Sequence, residues 1–194
     1  MKKTLTIALS MVLVAAIAVT GTLAFLTASS TELVNKFTFG NTEVTIAEPD
    51  WTAALGGDAE KPMKVVPGQT VAKDPTVTVK GSEEVYVYAY VNNALADYVT
   101  IGAIGANWTA VDGLAGLYRY NTTVTPAAGG TELEPLFEEV TISDKITQET
   151  LEENNPFTNG SITVQAYVHQ AKEIGDTPVA TADAAAVAFF TKGE

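Results

Sequence analysis

The sequence predicts an all-β protein, an antiparallel β-sandwich of the jelly-roll or immunoglobulin-like kind with one or two short helices. Apolar and polar residues alternate along residues 84–91 and 161–169, which is typical of strands that bury one face. Turn-forming pairs such as Pro67-Gly68 separate such segments from their neighbours. About eight short strands joined by turns of this kind favour a sandwich.

The two strands with the clearest alternation also predict which side chains share a face. In residues 84–91 the valines and the alanine lie on one face, and Tyr86, Tyr88 and Tyr90 lie on the other. In residues 161–169 the isoleucine, valines and alanine form the inward face. Shorter strands are predicted at residues 42–46, 76–80 and 138–142, and less regular ones at 33–39, 63–66 and 117–120.

Two helices are expected beside the strands. Residues 144–154 are rich in acidic side chains and have Ser143 or Asp144 as a candidate N-cap. The alanine-rich residues 181–190 favour a short helix that closes one end of the sandwich. Residues 41–194 are therefore expected to form a single domain of ordinary size.

Composition indicates a globular chain with a strongly acidic surface. Of its 194 residues, 46% are hydrophobic and 18% are charged, which is enough apolar material for a core. Acidic residues outnumber lysine and arginine by 23 to 11, a formal net charge of −12. Such a surface repels phosphate backbones, so nucleic acid is not an expected partner. The chain has no cysteine, which excludes disulfides, thiolate zinc sites and a cysteine nucleophile.

The N-terminus has the organisation of a secretory signal peptide. Lys2 and Lys3 precede an uncharged, apolar run, and Thr22 and Ala24 are small residues at the −3 and −1 positions of a cleavage site before Phe25. Residues 1–24 are therefore predicted to be removed during export, so that the protein is secreted and contacts the membrane only transiently. The alternative is an uncleaved anchor, because about 20 apolar residues can span a bilayer.

The side chains that catalysis would need are sparse. His169 is the one histidine of the sequence, so the paired-histidine helix of zinc proteases cannot form. It falls on a predicted strand, where an exposed or rim histidine is the simpler interpretation. Adjacent acidic pairs such as Glu83-Glu84 point to opposite faces of a strand, which favours solvated surface over a loose calcium site. The sequence thus predicts no enzyme, no metal site and no cofactor.

The stripe formed by Tyr86, Tyr88 and Tyr90 is the candidate interaction face. Aromatic stripes on a sheet can bind glycans or pack against a partner sheet. Aromatic residues are also good strand formers, and the outer face of a sandwich can be covered by its own loops or helix. Both interpretations are open at the level of the sequence.

Several motifs, taken in order, resemble the TasA/camelysin family of Gram-positive proteins that carry a SipW-type signal peptide. They are GTLAFLT at residues 21–27, NKFTFGN at 35–41, VTI at 44–46 and VPGQTVAKDP at 66–75, followed by the tyrosine-rich strand and, near the end, residues 162–171 before the alanine-rich helix. Residues 94–130 match nothing in the family's pattern. The metallopeptidase label of the camelysin branch has no recognisable metal ligands here and is not carried over.

The resemblance implies a jelly-roll-like sandwich, processing by the dedicated signal peptidase, and assembly into extracellular fibres of a biofilm matrix or cell surface. It also implies that the freed N-terminal segment, residues 25–40, lies as a strand in the next subunit. The donor strand would begin with Phe25, Leu26, Thr27 and Ala28. The expected partners are therefore the signal peptidase during export and further copies of the same chain, added head to tail.

Three functions compete at this point. The first is the structural fibre subunit, supported by the export signal, the predicted sandwich and the missing catalytic set. The second is a camelysin-like secreted metalloendopeptidase, which predicts chelator-sensitive hydrolysis of casein that depends on His169. The third is a monomeric adhesin or glycan-binding module that uses the tyrosine face, which predicts saturable glycan binding without assembly.

Overall fold

Strands dominate the part of the chain that the structure, a computed structural model, describes: residues 42–58, 63–153, 155–158, 160–173, 175–176 and 178–192. The strands are β1 (Thr42–Ala47), β2 (Thr70–Ala72), β3 (Thr76–Gly81), β4 (Val85–Asn93), β5 (Val99–Ile101), β6 (Trp108–Ala110), β7 (Leu117–Tyr120), β8 (Thr131–Glu132), β9 (Glu139–Ile142), β10 (Ile162–Gln170), β11 (Lys172–Glu173) and β12 (Gly175–Asp176). The helices are α1 (Pro49–Ala54), α2 (Gln148–Glu153) and α3 (Val179–Thr191), with a 3-10 turn at Pro156–Thr158.

The strands form three antiparallel sheets and one short hairpin. Sheet I has the order β10-β4-β7-β6, sheet II the order β1-β3-β8 and sheet III the order β2-β9-β5, while β11 pairs with β12. The longest pairing joins β4 to β10 over nine residues, with Tyr88 opposite Tyr167. The predicted antiparallel all-β fold is therefore confirmed. The predicted signal peptide (1–24), the donor segment (25–40) and the strand at 33–39 lie outside the described residues.

One hydrophobic core joins the three sheets. From sheet I it takes the inward residues of β4, of which Val87 and Ala89 are fully buried. These pack with Val77 and Val79 of sheet II and with Val140 of sheet III, in the same cluster. Burying a valine of this kind contributes about 1.5–3 kcal/mol to stability. The core is thus the interior of a sandwich with sheet I on one side and sheets II and III on the other.

A second, smaller cluster lies on the outer face of sheet I, where α3 packs. The helix buries Ala182, Ala186 and Phe190, which are four residues apart and form one stripe along it. The two alanines let the helix backbone approach the sheet closely, and the Phe190 ring packs on Tyr90 with centroids 5.1 Å apart. The predicted alanine-rich helix is confirmed, but it lies on the outer face of sheet I and does not close one end of the sandwich.

Two predicted elements differ from the structure. Residues 63–66 form no strand, because the Val66 N–H donates to the side chain of Gln69 and the Gln69 N–H donates back to Val66, so this segment closes its own turn. The acidic helix begins at Gln148 rather than near residue 144. Its first turn is capped by Thr147, whose hydroxyl accepts the N–H of Thr150 at 3.3 Å.

Residues 94–130 are an integral part of the fold. They contain β5, β6 and β7, which extend sheets III and I, and each of these strands buries one large residue: Val99, Trp108 and Leu117 respectively. The Trp108 ring meets Tyr120 edge to face with centroids 5.2 Å apart, and its indole N–H donates to the carbonyl of Glu134. This segment therefore contributes strands to both sides of the sandwich.

Candidate functional site

The sandwich is incompletely closed along one side, where its two longest edge strands lie next to each other. β1 is the edge of sheet II and β10 is the edge of sheet I, and the two strands are in contact without forming a ladder. The inward residues of both strands pack against the core but stay partly exposed: Val44 and Ile46 on β1, and Ile162, Val164, Ala166 and Val168 on β10. We call this pair of strands the β1–β10 seam. Its apolar side chains would be covered by one further strand.

Two backbone hydrogen bonds establish which groups of β10 face its outer edge. The Ala94 N–H donates to the carbonyl of Ser161, and the Ala171 N–H donates to the carbonyl of Glu84. Both bonds join residues that continue the register of β10 and β4 by one pair beyond its ends. Odd-numbered residues of β10 therefore direct their backbone groups toward β4, and the even-numbered residues direct theirs away from it. No strand in the described part of the chain pairs with those outward groups.

A cleft of about 700 Å³ opens where β1 ends and β10 begins. Its walls are apolar residues of sheet III, such as Val99 and Val140, together with Ile162 of β10. At its mouth the Lys73 ammonium lies 2.7 Å from the Glu48 carboxylate and 5.0 Å from the centre of the Trp51 ring. The ammonium therefore has an ion-pair partner and a cation–π partner although it is nearly buried. The cleft extends the seam into the core.

Helix α1 positions Trp51 at this cleft through a cap that comes from a distant part of the chain. The carboxylate of Asp74 accepts the backbone N–H groups of Asp50, at 3.0 and 3.1 Å, and of Trp51, at 3.3 Å. A carboxylate at a helix N-terminus satisfies amides that have no partner within the helix. The capping residue follows Lys73 directly, so one short loop supplies both the cap and the ammonium.

The tyrosine stripe is covered by α3, and its prediction as an interaction face is corrected at Tyr88. This residue is 0% exposed beneath the helix, and its hydroxyl donates to Asp183 Oδ1 at 2.9 Å. Burial, followed by the bond to this carboxylate, raises the pKa of Tyr88 well above its ordinary value. Tyr86 and Tyr90 are half-buried and pack against the same cluster. The predicted division of β4 into a tyrosine face and an aliphatic face is confirmed.

The contact between α3 and sheet I includes an ion pair. Arg119 Nη1 on β7 donates to both carboxylate oxygens of Asp183, at 2.7 and 2.6 Å. The two side chains are 21% and 25% exposed, so water screens the pair only in part. Asp183 thereby binds one side chain from β4 and one from β7, and we call these three residues the α3 clamp.

His169 takes part in aromatic packing on the outer face of β10. Its Nδ1 is 3.1 Å from the hydroxyl of Tyr167, and the residue is half-buried. Among the described residues, no group of three or more histidine, cysteine, aspartate or glutamate side chains is arranged to hold a metal ion. None of the helices described has the length and hydropathy needed to cross a lipid bilayer.

The predicted cleavage and donor residues, Thr22, Ala24 and the run 25–28, lie outside the described residues. The seam and the cleft were not predicted from the sequence. The alternation of β10 was the available signal, but an edge strand and a central strand can show the same alternation, so the pattern did not reveal an open side.

No protein-family model matches the chain, and no curated protein is significantly similar to it in sequence. The resemblance of its motifs to the TasA/camelysin family therefore stays a prediction.

Proposed function

We propose that this chain is a secreted structural subunit that assembles into extracellular fibres by strand exchange. In this proposal, residues 25–40 of one subunit add as a strand to the β1–β10 seam of the next. The observation that carries it is the outer edge of β10, nine residues long, with backbone groups that no described strand pairs and an apolar face that is partly exposed. Long edges of this kind are templates for strand addition unless something protects them.

The N-terminal sequence has residue types suited to such a strand. Phe37 and Phe39 alternate with polar residues, and Leu33 lies on the same face of a strand, separated from Phe37 by Asn35. These apolar side chains can cover the partly exposed side chains of β10 while the backbone of the segment pairs with residues 162–170. Each backbone hydrogen bond contributes about 0.5–1.5 kcal/mol net, and a strand of this length forms several. Affinity then comes from the backbone, and register comes from the aromatic side chains.

The geometry of such an exchange favours filaments over closed oligomers. The donor segment and the acceptor seam are different surfaces, so each subunit that accepts a strand still offers its own. Assembly would begin after export, because residues 25–40 directly follow the predicted signal peptide. Signal peptidase cleavage between Ala24 and Phe25 would release the donor. The acidic surface would make the assembly sensitive to salt, since like charges repel one another along the fibre.

A pair of substitutions at one position of β10 tests the acceptor edge. Val164 directs its N–H away from β4, so Val164→Pro removes an outward donor and preserves the ladder with β4. Val164→Ala loses a similar amount of packing but keeps the N–H. We expect the alanine variant of the chain that begins at Phe25 to form filaments in electron micrographs and the proline variant to stay monomeric, both with folded circular dichroism spectra. Filaments of equal length from both variants would show that the edge of β10 is not the acceptor.

A further inference from the structure

A groove of about 860 Å³ lies on the outer face of sheet I, at the C-terminal end of α3. α3 covers β4 and β10 over the tyrosines and ends beside the first residues of β10. The groove occupies the sheet surface beyond that point. Its floor comes from Tyr90 and Asn92 of β4 and from Thr163 and Gln165 of β10, and its wall comes from Phe189 and Lys192 of α3.

The floor of the groove offers polar side chains that have no hydrogen-bond partner among the described residues. Thr163 is opposite Asn92 and Gln165 is opposite Tyr90 in the ladder, so the four side chains form a compact block on one face. Asn92, Thr163 and Gln165 are exposed, and their side chains form no hydrogen bond with any other described residue. Two amides and a hydroxyl together provide several donors and acceptors at fixed positions.

The wall of the groove is an exposed aromatic ring held in place by other rings. Phe189 is 53% exposed although it belongs to the helix that covers the sheet. Its ring stacks on Tyr167 with centroids 4.7 Å apart and an interplanar angle of 26°, and it meets Phe190 edge to face at 5.0 Å. Phe190 is itself buried against Tyr90. The exposed part of the Phe189 ring is therefore pre-positioned, so a ligand that packs on it loses little side-chain freedom.

We infer that this groove binds a neutral polysaccharide. A sugar ring presents C–H groups that pack on an aromatic face and hydroxyls that pair with amides, and the groove provides both within one block. The formal net charge of −12 disfavours polyanions, and among the described residues that line the groove Lys192 is the one with a positive charge.

An added peptide strand would suit this groove less well than a glycan. The backbone groups of Thr163 and Gln165 are directed toward β4, so a peptide lying on this face would find no ladder to extend. The groove lies on the face of β10 and the β1–β10 seam lies at its edge. Glycan binding is therefore an independent inference, which applies to a monomer as well as to a fibre.

Isothermal titration with neutral hexasaccharides tests the inference directly. The panel is cellohexaose, chitohexaose, mannohexaose and a β-1,3-glucan hexamer, with polygalacturonate as an anionic comparison, and the protein is the chain that begins at Phe25. We expect saturable binding of at least one neutral hexasaccharide. Phe189→Ala should weaken it about tenfold and Gln165→Ala about threefold, as expected for the loss of one aromatic contact and one hydrogen bond.

The matched control is Val66→Ala, which removes an exposed apolar side chain remote from the groove and should leave the affinity unchanged. Both groove variants replace exposed side chains, so their folding is checked by thermal unfolding in the same buffer. Absence of binding to every neutral sugar, a preference for polygalacturonate, or an affinity unchanged in Phe189→Ala would each overturn the inference.

Discussion

Replacing Asp183 with alanine should loosen the attachment of α3 to sheet I. The substitution removes the acceptor of the Tyr88 hydroxyl at 2.9 Å and of Arg119 at 2.6 and 2.7 Å. A buried hydroxyl without a partner costs about 1–3 kcal/mol, and a charge-assisted hydrogen bond contributes about 1.5–3 kcal/mol. Because the side chains of the ion pair are about one-quarter exposed, its contribution to the free energy of unfolding lies at the low end of that range. We therefore expect the free energy of unfolding to fall by about 2–4 kcal/mol.

Two further variants divide this effect between the partners in the α3 clamp. Tyr88→Phe removes only the hydroxyl and leaves the ion pair of Arg119 with Asp183 intact, so it should lower the free energy of unfolding by about 1 kcal/mol. Asp97→Ala changes an exposed aspartate that forms no bond to the other described residues, and it should stay within about 0.5 kcal/mol of the parent protein.

Urea unfolding followed by tryptophan fluorescence and circular dichroism measures all three free energies. The expected order of stability is parent and Asp97→Ala together, then Tyr88→Phe, then Asp183→Ala. Limited proteolysis should also cut the Asp183→Ala protein within α3 before the rest of the domain. If Asp183→Ala proved no less stable than Asp97→Ala, the α3 clamp would not hold the helix on the sheet.

Three further predictions concern packing and ionisation. Ala186→Leu should lower the free energy of unfolding by about 1–3 kcal/mol because Ala186 is fully buried between α3 and the sheet, whereas Ala184→Leu on the exposed face should have little effect. Burial raises the pKa of Tyr88, so near pH 10 the unfolded chain loses the hydroxyl proton of this residue while the folded protein keeps it. The free energy of unfolding should therefore fall above pH 10. In Tyr88→Phe the fall should be less steep, by up to about 1.4 kcal/mol per pH unit. The hydroxyl of Thr123, followed by an ion pair with a lysine, lowers the pKa of Glu84, so Thr123→Val should raise that pKa.

Each of these predictions has a measurement that can contradict it. Urea unfolding measures the stabilities of Ala184→Leu and Ala186→Leu, and equal values would show that the helix does not pack as tightly as described. Urea unfolding at pH 9 to 11 tests the prediction for Tyr88. Parallel curves of stability against pH for the parent and Tyr88→Phe would contradict a raised pKa.

Carbon NMR titration measures the pKa of Glu84 in the parent and in Thr123→Val, and an equal pKa in both proteins would contradict the role of the Thr123 hydroxyl. The lowered pKa of Glu84 stabilises the folded protein at pH values above the pKa that this residue has in the unfolded chain. This stabilisation is lost as the pH falls through the pKa of Glu84 in the folded protein. The difference in free energy of unfolding between the parent and Thr123→Val should therefore vanish in acid.

The sequence predicted the elements whose patterns are local. The alternation of β4 and β10 encodes their faces directly, because neighbouring side chains of a strand point to opposite sides. The alanine-rich helix followed from composition and spacing. The strands β5 and β6 were not predicted because each has three residues and buries one of them, which is too short a segment to show the alternation of a strand.

The features that depend on distant contacts could not be predicted. Tyr86, Tyr88 and Tyr90 have the same spacing in the sequence, whereas the complete burial of Tyr88 accompanies a hydrogen bond to Asp183, 95 residues away. The cap of α1 likewise comes from a distant residue, because the carboxylate of Asp74 accepts the backbone N–H of Asp50, 24 residues earlier in the chain. The seam depends on which strands end at an edge, and the groove depends on where α3 ends on sheet I.

Electron microscopy of the purified chain with and without its donor segment tests the proposed strand exchange most directly. Protein that begins at Phe25 should elongate into filaments, whereas protein that lacks residues 25–40 should remain monomeric with the same circular dichroism spectrum. If the shortened protein formed filaments as readily as the longer one, residues 25–40 would not be the donor and the proposed assembly would be wrong.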